Sequence, residues 1–233
     1  MKTTEASFRF EHEMAGSARN WLTHQGLMVK GEFYTPWGIC DPVGVAFDRK
    51  RVSKRLRLGQ KQPIGPLIRL EILNAIPDAE TGHSAIYEEL EHAYRDLITP
   101  SQLRSEIEKL ITGKFVTVSE RGTLQKVNGW APLHTRVVAL ELKLNRVEEA
   151  LGQAISHQAF AEESYVGFPT GLAERIATSP RSARFLAEGV GIVSVGKSRC
   201  HILLRPGTRR HLISPTLQMH CVERFWRTRA KDN

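Results

Sequence analysis

The stretch 136–144, Arg-Val-Val-Ala-Leu-Glu-Leu-Lys-Leu, constrains this chain more than any other. It reads as a core β-strand. Val138, Leu140, Leu142 and Leu144 share one face at period 2, and Val137, Ala139, Glu141 and Lys143 share the other. Two charges in so apolar a strand need compensation, because a buried unpaired charge is strongly unfavourable. A divalent cation with a polarised water would supply it. The simpler alternative is a cross-face ion pair at a strand end.

The chain has 233 residues, enough for one large domain or two small ones, and its 41% hydrophobic content can fill a real core. The formal net charge of +8 points to nucleic acid or another polyanion as partner. The basic residues are clustered. The segment 49–61 holds Arg49, Lys50, Arg51, Lys54, Arg55, Arg57 and Lys61 without an acid, and a second group follows Arg205 (Arg209, Arg210, Arg224, Arg227, Arg229 and Lys231). Cys40, Cys200 and Cys221 are an odd number with no Cys-x-x-Cys, which argues against a disulfide framework or a zinc finger and fits a reducing, cytoplasmic setting. Glu5, Arg9, Glu11 and Glu13 leave no secretory apolar region near the start, and no apolar run is long enough to span a membrane.

Along the chain, the apolar stripe Met14, Ala15, Ala18, Trp21 and Leu22 predicts a helix over 7–25, ended by Gly26; Glu11 lies on the same stripe. An extended stretch 27–34, a turn at Thr35-Pro36-Trp37-Gly38 and a strand 39–47 carrying Asp41 suggest a hairpin. Helices are expected over 63–76, 84–97 and 99–112, the last with Thr99 as N-cap and Pro100 in its first turn. Short strands 115–118 and 123–127 follow. Three helices and a hairpin is the order of a winged helix. After a linker at 128–132 come the strand above, a helix over 146–163, a strand 164–168, a helical stretch 172–188 broken at Pro180, and strands 190–195 and 200–204. This alternation predicts an α/β core. The expected domains are a discontinuous core, 1–60 with 128–233, and an inserted winged-helix-like domain, 61–127.

In order, the chain offers Glu11 on a helix, Asp41 in a hairpin, Glu141-x-Lys143 on the core strand and Gln153 on the next helix. With Gly38-Ile39-Cys40-Asp41-Pro42-Val43-Gly44-Val45, Ala139-Leu140-Glu141-Leu142-Lys143-Leu144, residues 148–157 and Ser164–Pro169, the chain resembles the PD-(D/E)XK, or restriction-endonuclease-like, nuclease superfamily over about 5–60 and 130–204. The resemblance implies a mixed sheet flanked by helices and a Mg²⁺- (or Mn²⁺-) dependent nuclease acting on DNA in repair, recombination or defence. It assigns Asp41 and Glu141 to the metal, with the Leu142 carbonyl, and Glu11 as a further ligand. Lys143 would orient or deprotonate the attacking water and stabilise developing charge. Gln153 with His157 resembles the family's Gln-x-x-x-Tyr helix motif, with His in place of Tyr. Cys40 stands where many members have Pro. The alternative for Glu11 is an acid complementing the helix dipole, for Gln153 a surface amide, and for His157 a solvated or capping residue.

Arg49, Arg51, Lys54 and Arg55 from the first basic cluster, and Arg104, Lys109 and Arg121 from the insert, are the expected DNA contacts. Trp37 and Trp130 could stack on bases or plug the core. Acids at Glu88, Glu89, Glu91, Glu106 and Glu108 oppose DNA, so residues 61–127 could instead dock a protein or a second copy; related nucleases often pair two sites as a homodimer. The rival functions are a catalytically silent DNA-binding or regulatory protein and a protein-interaction module.

Overall fold

The computed structural model describes residues 8–35, 38–127, 132–207 and 209–229. They form two compact units. The first comprises residues 1–47 and 134–214, the second 48–133 and 215–233.

The first unit begins with helix α1 (His12–His24). Strands β1 (Met28–Lys30), β2 (Phe33–Thr35), β3 (Gly38–Cys40) and β4 (Val43–Phe47) follow. The sequence suggested one hairpin here; the structure makes two nested pairs. β2 pairs with β3, and β1 pairs antiparallel with β4. Gly31 and Glu32 break the first arm, and Asp41-Pro42 break the second, where Pro42 has no N–H to donate to a continuous ladder.

The second unit carries helix α2 (Arg49–Arg57), capped by Asp48, whose side chain accepts from the N–H groups of Lys50 and Arg51. Helices α3 (Leu67–Ala75), α4 (Tyr87–Tyr94) and α5 (Pro100–Thr112) and the paired strands β5 (Val116–Val118) and β6 (Leu124–Lys126) complete its sequence-continuous part. Thr99 caps α5 reciprocally with Gln102, as Thr-Pro predicts. Leu70, Leu73, Leu90, Leu103, Ile107, Leu110 and Phe115 fill the core.

The chain returns to the first unit with β7 (His134–Leu142), α6 (Val147–His157), β8 (Glu163–Pro169), α7 (Thr170–Ala177), α8 (Ser182–Ala187), β9 (Gly191–Val195) and β10 (Cys200–Leu204). The expected helix 146–163 stops at His157, because Glu163 already belongs to β8. The six strands run β1-β4-β7-β8-β9-β10. β7, β8 and β9 are mutually parallel and the outer pairs antiparallel, so the sheet is mixed. Val138, Leu140 and Leu142 of β7 pack with Met14, Ala18 and Leu22 of α1. Val166, Phe168 and Ile192 pack beneath α6, α7 and α8 on the other face. The first unit is therefore an α/β sandwich with helices on both sides of the sheet.

Helix α9 (Pro215–Arg229) closes the second unit. Its Met219 enters that unit's core, and the indole N–H of Trp226 donates to the Lys61 carbonyl. Residues 49–60 and 215–229, expected with the sheet, thus group with 61–127. One buried ion pair adds to these contacts. The Arg55 guanidinium binds both oxygens of Glu223, whose Oε2 also accepts from the Ile64 N–H at 2.8 Å.

Candidate functional site

The centre of the site is β7, which runs between β4 and β8. The chain bends at Asp41, just before β4. There Asp41 Oδ2 accepts a 2.8 Å hydrogen bond from the Leu142 N–H. Leu142 lies between Glu141 and Lys143, so the backbone ties Asp41 to that pair. Lys143 Nζ donates to Glu141 Oε1 at 2.6 Å and lies 3.9 Å from Glu149 Oε1. Glu11, just before α1, accepts from the Leu144 N–H at 3.2 Å. The structure therefore brings Glu11, Asp41, Glu141 and Lys143 to one end of β7. Glu11, Glu32, Asp41 and Leu142 line a cavity of about 440 Å³.

Burial dominates the electrostatics. It raises the Asp41 carboxyl above its ordinary value; the Leu142 N–H and Lys143 oppose the shift, and Glu11 and Glu32 add to it. Glu141 is pushed up to about 7, first by burial, with Asp41 and Glu11 adding to it against the Lys143 bond. Burial works to lower Lys143, but its bond to Glu141 and the surrounding acids overcome this and hold the ammonium above its ordinary value. Three carboxylates around one lysine leave excess negative charge, which suits a hard cation with oxygen ligands. Glu141 Oε2 is buried without a hydrogen-bond partner among the described residues. Among the described residues, the His, Cys, Asp and Glu side chains whose ligand atoms lie within 4.8 Å of one another are Cys40, Glu141 and His157.

Gln153 is not anchored to this group. It lies one turn before His157 on α6, makes no hydrogen bond to Glu141 or Lys143 among the described residues, and its Oε1 is buried without a partner among them. His157 is the residue that the sequence undervalues. Taken alone it reads as solvated; it is 3% exposed. Its Nδ1 lies 3.6 Å from Cys40 Sγ and its Nε2 lies 3.9 Å from Glu141 Oε2. Burial, then the Lys143 charge, drives its pKa down to about 4. The available signal was helical spacing, since Ala150, Leu151, Ala154 and His157 form one buried stripe on α6.

The expected DNA contacts separate. Arg49, Arg51 and Lys54 are exposed along α2, and Arg51 also donates to the Pro132 carbonyl at 2.8 Å. Arg55 does not belong with them. It is 1% exposed, bound to Glu223, and covered by the rings of Trp226 and Phe115. A helix of 3.6 residues per turn must turn one side inward, and Val52 and Arg55 fall on it. In the insert, Arg104 is exposed and lies over the Tyr87 ring, Lys109 binds Glu106 at 2.7 Å, and Arg121 is exposed at the turn between β5 and β6. Trp37, Trp130 and Lys231 lie outside the described residues.

No protein-family model and no curated protein matches this chain. A solved structure with a similar trace is the SPO1766 protein of unknown function from Silicibacter pomeroyi. It is 9% identical, with a TM-score of 0.45 over 97% of this chain and 90% of that one.

Proposed function

We propose that this chain is a Mg²⁺- or Mn²⁺-dependent nuclease that hydrolyses DNA phosphodiester bonds, built on a restriction-endonuclease-like sheet and carrying a winged-helix-like insert. One observation carries the reading. Asp41 is bonded to the backbone between Glu141 and Lys143, and Lys143 is bonded to Glu141. Asp41, remote in sequence, is thereby held against the backbone beside the Glu141–Lys143 pair at the end of one central strand.

Glu11, Asp41 and Glu141 would hold the cation, with the Leu142 carbonyl as a neutral donor. Once bound, such an ion supplies Lewis-acid polarisation of the phosphate and a water acidic enough to attack near neutral pH. The protein residues divide the remaining work. Positive charge beside Glu141 favours its carboxylate form and removes the repulsion among the three acids. Lys143 stays an ammonium, so its part is to donate. It orients the attacking oxygen and stabilises the negative charge that grows on the phosphoryl oxygens. The bond to Glu141 fixes its reach before substrate arrives. The net charge of +8 and the exposed arginines of α2 supply attraction to the polyanion.

The test is cleavage of supercoiled plasmid and of single-stranded DNA with Mg²⁺ or Mn²⁺, wild type against Lys143→Ala. The expected result is metal-dependent cleavage, abolished by chelation and lowered on the order of 100-fold or more in the variant. Salt-sensitive DNA binding without cleavage under any of these conditions would instead identify a silent DNA-binding protein.

A further inference from the structure

On the side of Glu141 away from its Lys143 bond, a second set of donors converges. Cys40, Glu141 and His157 each present an atom within 4.8 Å of the other two, and all three residues are buried. They come from β3, β7 and α6, so only the folded first unit assembles them. Sulfur, imidazole nitrogen and carboxylate oxygen are together a set that oxygen-seeking Mg²⁺ does not select.

We propose that Cys40, Glu141 and His157 form a binding site for a thiophilic divalent cation of the zinc class. Four observations support it. First, Glu141 Oε2 is buried and has no hydrogen-bond partner among the described residues, although Oε1 is bonded to Lys143. A buried lone pair of this kind is unfavourable unless something occupies it. Second, Oε2 lies 3.9 Å from His157 Nε2. Ligand atoms on a tetrahedral zinc stand roughly 3.3–3.8 Å apart, so donors within 4.8 Å of one another must draw together by up to about 1 Å. Third, the His157 ring also approaches the sulfur, with Nδ1 3.6 Å from Cys40 Sγ. Fourth, there is a way in. His157 and Gln153 line a cavity of about 150 Å³ whose walls include the exposed Ile39, Gly152 and Ser156. Water from that cavity is available as a fourth donor. Binding converts the Cys40 thiol to a thiolate and releases its proton to solvent.

The site shares Glu141 with the oxygen-lined side. Under the nuclease reading, on which this consequence rests, zinc would inhibit by withdrawing Glu141 from the Mg²⁺ ligands. The binding itself does not depend on that reading.

The test uses the untagged full chain titrated with Co²⁺. The expected result is one equivalent bound, with thiolate-to-cobalt charge-transfer absorption that Zn²⁺ displaces. Folded Cys40→Ser should lose the band, Cys200→Ser should keep it, and His157→Gln should bind at least tenfold more weakly. Zinc-edge X-ray absorption on the wild type requires no variant; one sulfur per zinc at about 2.3 Å is expected. Absence of the band, its persistence in folded Cys40→Ser, or a zinc shell without sulfur would overturn the site. In the cleavage assay, Zn²⁺ should inhibit the wild type and spare Cys40→Ser. Cobalt binding by a wild type that cleaves nothing would sink the nuclease reading and leave the metal site standing.

Discussion

Asp41 Oδ2 accepts its hydrogen bond from the Leu142 N–H at 2.8 Å, which fixes a carboxylate against the backbone of the central strand. An amide oxygen can accept the same bond. Asp41→Asn should therefore keep the fold while removing one charge from a group of acids that burial and mutual repulsion already push toward the neutral form. In chelator, the variant should melt at or above the wild-type temperature. Its Mg²⁺ affinity, followed by calorimetry, should fall at least tenfold. A variant that melts well below wild type yet binds Mg²⁺ equally would show that Asp41 serves the fold alone.

The opposite titrations of Glu141 and His157 give a pH test in the metal-free protein. Glu141 is raised from 4.5 to about 7, so across that window the folded chain keeps a proton that the unfolded chain has lost. Stability from this group falls as pH rises. His157 is lowered from 6.5 to about 4, so between those values the unfolded chain takes up a proton that the folded chain refuses. Stability from this group rises with pH. The two slopes oppose each other in the wild type. Glu141→Gln should expose the rise and His157→Gln the fall, measured as melting temperature from pH 4.5 to 6.5 in chelator. Parallel profiles for all three proteins would contradict the assigned shifts.

The strand 136–144 was legible because Val and Leu at period 2 dominate it, and the α5 start was legible because Thr99-Pro100 is local chemistry. Helix α2 was not, because its buried side is only Val52 and Arg55 among seven polar or exposed neighbours. Helix α9 was missed for a related reason. Met219, Val222, Phe225 and Trp226 mark its buried side, but arginine and histidine interrupt them. At the site, Glu141-x-Lys143 was visible because two residues at that spacing on a strand share a face. The Cys40–His157 approach was invisible because 117 residues separate the pair and no spacing encodes it. Arg55 shows the same limit: composition placed it among DNA contacts, and its partner Glu223 lies 168 residues away.

That pairing makes a stability prediction for the second unit. Arg55 Nη2 binds Glu223 Oε2 at 3.0 Å, and both side chains are almost fully buried. Removing one partner strands the other charge without water. Glu223→Ala should destabilise the protein by about 3–5 kcal/mol, measured by denaturant unfolding. Arg55→Lys should recover little of this, because an ammonium cannot reproduce the two-pronged bond or cover the Trp226 ring as the guanidinium does. A loss below about 1 kcal/mol for Glu223→Ala would mean that the pair does not anchor α9.

The burial of Arg55 also sharpens where DNA should be held. Arg49, Lys50 and Arg57 are exposed on α2, whereas Lys109 in the insert is already bonded to Glu106, and Glu108 is close by on the same helix. Phosphate binding needs a cation that neighbouring acids do not neutralise. The triple change Arg49→Ala, Lys50→Ala, Arg57→Ala should therefore weaken binding to duplex DNA strongly. It should also reduce the slope of log affinity against log salt by roughly 0.9 for each phosphate that is no longer neutralised. Lys109→Ala should change that slope little, and folding of both variants can be checked by melting. A steeper fall in affinity from Lys109→Ala than from the α2 triple would move the DNA-binding surface to α5 and restore the insert as the principal DNA-binding element.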